Sequence, residues 1–77
     1  MKVNVEVTDT FGHDANYSWV KRYTLETIDA LSDYAIVRRV KAHIGWAGKR
    51  CTTTKHGDMI ELRPMGECVV CFVTFGE

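Results

Sequence analysis

Apolar residues change their spacing twice along this chain. Val3, Val5 and Val7 alternate with Asn4, Glu6 and Thr8, the period-two pattern of a strand with one buried face. TFGHDAN interrupts that alternation and reads as a loop. Residues 17 to 25, YSWVKRYTL, are rich in aromatic and β-branched side chains, so a second strand is expected there, with Tyr17, Trp19 and Tyr23 sharing one face with Leu25. The period lengthens in SDYAIVRRVKAHIG. Here Ile36, Val37, Val40 and Ile44 fall on one stripe of a helix, while Arg38, Arg39 and Lys41 lie toward the other side. Ser32 or Asp33 can cap the first turn, and Gly45 is placed to end the helix in a left-handed conformation. Period two then returns. Arg50 to Lys55 forms a polar, threonine-rich strand, His56-Gly57 a hairpin turn, Met59 to Arg63 a strand with Ile60 and Leu62 inward, and residues 67 to 75 the last strand.

The resulting order, β-β-α-β-β-β, predicts an α+β fold in a single compact domain over residues 1 to 77. A lone amphipathic helix has to bury its stripe against one face of a mostly antiparallel sheet, which gives two layers. The last strand raises a difficulty for so simple a packing. Val69, Cys71, Val73 and Phe75 supply one apolar row, yet Cys68, Val70 and Phe72 supply a second on the opposite face. One helix covers one face, so the second row calls for another cover: a second copy of the chain, a bound protein partner, or the twist and loops of the monomer itself.

Two cysteines three residues apart, in ECVVCF, raise the question of a zinc or thiol site. Residues at that separation on a strand point to opposite faces, whereas a zinc knuckle or redox pair needs a tight turn or a helix start. CVVC is therefore read as part of the core, and no metal or cofactor is expected. The odd count of three cysteines argues against a disulfide scaffold and for a reducing compartment. MKVNVEVTD lacks the apolar run of a signal peptide, and no stretch approaches the length of a membrane span, so a cytoplasmic protein without membrane attachment is expected.

Charge changes the picture only when read by segment. The formal net charge is +0, but residues 36 to 56 hold six basic side chains and no acid. The flanking segments are correspondingly acidic. A basic patch centred on the helix would steer an acidic protein or a phosphate backbone. Catalytic patterns are missing from the chain: His13, His43 and His56 form no metal-ligand spacing, and GWAGK follows a helix and lacks the rest of a phosphate-binding loop. A non-enzymatic role is expected.

The layout of a paired strand unit, one short helix and a closing meander resembles that of small bacteriophage accessory proteins, among them some anti-CRISPR inhibitors. ANYSWVKR and GDMIELRP also look like stretches of prophage-encoded proteins. The resemblance implies a stoichiometric inhibitor or adaptor that occupies a surface of a bacterial host protein, and it assigns no individual residue. The residues themselves suggest Tyr17, Trp19, Tyr23 and Phe75 as apolar anchors of a protein-binding surface, with Arg38, Arg39 and Lys41 setting approach and polarity. Nucleic-acid binding through the sheet aromatics and the basic helix face is the alternative, and a structural homodimer is a third possibility.

Overall fold

The computed structural model describes residues 2–27 and 32–75. Among these, five strands and one helix follow the predicted order: β1 (Lys2–Phe11), β2 (Asp14–Glu26), α1 (Asp33–His43), β3 (Cys51–His56), β4 (Met59–Pro64) and β5 (Val69–Phe75). The strands form a single sheet in the order β2-β1-β5-β4-β3, and every neighbouring pair is antiparallel. Because β2 and β3 occupy the two edges, the connection carrying α1 crosses one face of the sheet. The fold is a two-layer α+β arrangement.

Registration decides which side chains meet the helix. Val5 lies opposite Val73, Val7 opposite Cys71, and Ile60 and Leu62 continue those two rows on β4. Ile36 and Val40 of α1 close over them, and all of these side chains are buried in one cluster with Val3. Each such side chain contributes about 1.5–3 kcal/mol when fully buried. CVVC is divided between environments. Cys71 is fully buried on the helix side, whereas Cys68 precedes β5 and is exposed.

Local chemistry sets the helix ends. The Ser32 side chain accepts a hydrogen bond from the Ala35 N–H at 3.2 Å, satisfying one of the free donors of the first turn. At the other end Gly45 takes a positive φ of 82°, and the Trp46 N–H reaches back to the Lys41 carbonyl at 2.7 Å. That six-to-one bond is the Schellman closure, and Trp46 packs partly buried against the core beside it.

Two turns depart from expectation. TFGHDAN is not a seven-residue loop: β1 runs on to Phe11, which pairs with Asp14, leaving Gly12 and His13 as a two-residue turn. Both have positive φ, 59° and 73°, as a type I′ hairpin requires, and the twist of that turn matches the flanking strands. Similarly, His56 belongs to β3 and pairs with Met59, so the second hairpin turns at Gly57 and Asp58.

Candidate functional site

The sheet face away from α1 carries Asn4, Glu6 and Thr8 on β1. Register sets Thr24, Arg22 and Val20 beside them on β2, and Thr74, Phe72 and Val70 on β5; Met59 and Glu61 of β4 extend the first two rows. This face is therefore mixed, not uniformly apolar. Within it Thr8 and Val70, cross-strand partners, are fully buried, so part of the second apolar row has cover of its own.

A bulge in β2 contributes to that cover. Between the pairs Thr8↔Val20 and Thr10↔Ala15 the register shifts, leaving Asn16 to Trp19 as extra chain opposite Asp9. Thr8 Oγ1 accepts from the Tyr17 N–H at 3.0 Å and lies 3.0 Å from the Trp19 carbonyl, to which it donates. Asp9 gathers the rest of the bulge. Its carboxylate accepts from the Ser18 N–H at 2.9 Å, the Ser18 hydroxyl at 2.6 Å and the Asn16 side-chain amide at 2.9 Å. These bonds, those from Ser18 and Asn16 foremost, hold the Asp9 carboxyl well below the usual carboxylate range.

The bulge re-aims one ring. Tyr17 adopts a positive φ of 57°, uncommon for a side chain of this size, and lines a groove on the open face with Asn4, Glu6, Arg22, Thr24, Met59, Phe72 and Thr74. The groove encloses about 560 Å³, within the range of ligand and anchor pockets. Phe72 and Met59, half-buried, supply its apolar part. At its polar side Arg22 Nε donates to Glu6 Oε2 at 3.2 Å. Partial burial, and then the neighbouring Glu6 carboxylate, raise the Tyr17 pKa above the ordinary 10.0. Nothing in this set pairs a nucleophile with a base. It presents an apolar centre with a hydrogen-bonding rim.

Of the residues suggested by sequence, Tyr17 and Tyr23 both border the groove, and the others are distributed over the molecule. Trp19 is 41% exposed on the bulge and is not among the groove-lining residues. Tyr23 also borders the groove, although its ring packs against the core and meets His43 edge-on at 5.9 Å, and Phe75 is partly buried against the core. Arg38 and Arg39 stand exposed on the outer surface of α1, on the far side of the molecule from the groove. Lys41 is half-buried and donates to the Lys49 carbonyl at 2.6 Å, a structural tie across the end of the helix. Phe72, Met59 and Glu6 complete the groove with Arg22. Phe72 is legible in the sequence as a second-face apolar residue and Arg22 as a basic neighbour of the sheet aromatics, but Met59 and Glu6 carry no sequence signal that separates them from ordinary strand positions.

Among the described residues, no three or more histidine, cysteine or acidic side chains converge as a metal site, and no helix is long and apolar enough to cross a membrane. No family model, curated protein or solved structure matches this chain.

Proposed function

We propose that this protein is a small, non-enzymatic protein-binding module that acts by occupying a partner surface with the groove on the open face of its sheet. The observation carrying this reading is the placement of Tyr17. A left-handed residue is retained in a bulge tied down by Thr8 and Asp9, and its ring borders an apolar centre of Phe72 and Met59 that no other element covers among the described residues. Aromatic side chains at the middle of a patch with a polar rim are the usual anchors of protein interfaces. The resemblance to bacteriophage accessory proteins points to a bacterial host protein as the partner and to a cytoplasmic inhibitor or adaptor as the role.

Nucleic-acid binding is the second reading, favoured by Tyr17 and Phe72 on a face that also carries Arg22. Against it stand Glu6 and Glu61, which lie directly opposite Phe72 on either side and would repel a phosphate backbone. Affinity capture from a bacterial lysate, with and without nuclease, separates the readings when wild type and Tyr17→Gly are used as baits. A defined protein that survives nuclease, co-elutes on sizing and is lost from the Tyr17→Gly bait supports the proposal. Material lost with nuclease favours nucleic acid, and a homodimer with no other component makes self-association the use of this face.

A further inference from the structure

The positive charge on the outer surface of α1 has no ion-pair partner among the described residues. Although the chain is neutral overall, four of its ten acids are engaged with other cations: Glu6 with Arg22, Asp33 with Lys55, Glu61 with Arg63 and Glu67 with Lys49. Asp9 is taken up by the β2 bulge. Arg38 and Arg39 form no ion pair among the described residues. The Arg38 guanidinium instead lies 5.9 Å over the ring of Tyr34, one helical turn earlier and 72% exposed. Together with Ala35 and Ala42 these three side chains line a shallow depression of about 390 Å³. Two small residues next to long ones leave a furrow into which a partner's side chains can settle.

From these observations we infer that the outer surface of α1 is a second docking surface, for an acidic segment of a protein partner that sets carboxylates on Arg38 and Arg39 and an apolar side chain against Tyr34 and Ala42. Arginine's planar fork suits carboxylate recognition. A phosphate backbone fits less well. It spreads its charge over many contacts, whereas Lys41, Lys49 and Lys55 are already bonded within the protein and only two arginines face this depression. The inference stands independently of the groove, because α1 and the groove are on opposite sides of the sheet. With both surfaces filled, the molecule bridges two partners.

The test uses fluorescence anisotropy with a labelled helical peptide of alternating glutamate and leucine blocks, its lysine-for-glutamate counterpart and a labelled oligothymidine. The full-length protein, its Arg38→Gln/Arg39→Gln variant and the groove variant Phe72→Ser are titrated at low and at physiological salt, with circular dichroism confirming each fold. Binding of the acidic peptide alone, weakened about tenfold or more by the double variant and unchanged by Phe72→Ser, is the expected result; a tenfold change corresponds to about 1.4 kcal/mol. Any of three outcomes overturns the inference: no binding of the acidic peptide to wild type, equal binding to the double variant, or tighter binding of oligothymidine through the same arginines. Should Phe72→Ser fail to fold, Tyr17→Gly serves as the groove control.

Discussion

Tyr17 holds a large ring on a backbone geometry that glycine adopts more easily, and the cost of a left-handed non-glycine residue is about 1 kcal/mol or more. Replacing it with glycine removes that strain together with a side chain that is 52% exposed, so stability should change by less than about 1 kcal/mol while partner capture is lost. A fall of the size seen for core aromatics, about 3–5 kcal/mol, would mean that the ring is structural. Asp9 makes a separate prediction. Its lowered pKa means that its contribution to the bulge is complete above the ordinary value of 3.8 and is lost only as pH falls through the lower, folded-state value. A carboxyl-carbon NMR titration should show no inflection for Asp9 around pH 3.8, and an inflection there would show that the bonds from Ser18 and Asn16 do not persist in solution. Sequence reasoning placed Tyr17 with Tyr23 because it counted alternation through an unbroken strand. The bulge invalidates that count, and it arises from an aspartate collecting hydrogen bonds from residues seven and nine positions away, a tertiary arrangement without a local signature.

At the scale of elements, α1 is the most legible part of the chain: its apolar stripe, its serine cap and its closing glycine all lie where the periodicity predicts. Ile36 and Val40 press that stripe onto the sheet, so Ile36→Ala should lower unfolding free energy by about 2–4 kcal/mol, measured by urea denaturation. Arg38→Ala, one residue beyond the neighbouring Val37, should change it by no more than about 0.5 kcal/mol. Tyr23→Ala belongs with the first of these: a loss of about 2 kcal/mol follows from its packing against the core, and because Tyr23 also borders the groove, weaker binding by that variant counts toward the groove only where urea denaturation shows the fold intact. The strands were legible as strands, but their ends were not. Gly12-His13 lacks the Asn-Gly signature that announces a two-residue hairpin, and a polar stretch such as TFGHDAN looks the same whether it is looped or paired.

Across the whole molecule, two thiols, Cys68 and Cys71, report how the sheet opens. Cys68 is exposed and should react readily with iodoacetamide. Cys71 is fully buried, and burial foremost pushes its thiol up to about 12, so it should stay unmodified at pH 8 until β5 leaves the sheet. Because the folded value lies above the ordinary 9.0, stability is intact below that pH and declines as pH climbs toward 12. Appearance of Cys71 labelling at the same urea concentration as loss of circular dichroism would establish a single cooperative unit, whereas earlier labelling would show β5 detaching on its own. The pairing that protects this cysteine joins opposite ends of the chain, for β1 and β5 lie side by side in the middle of the sheet and Val3 faces Phe75. One register position further in are Asn4 and Thr74, both lining the groove. A bulky label introduced at Thr74 therefore sits on the proposed binding surface and should block partner capture. The Gly12–His13 turn, at the other end of β1, is the attachment point that leaves the groove clear.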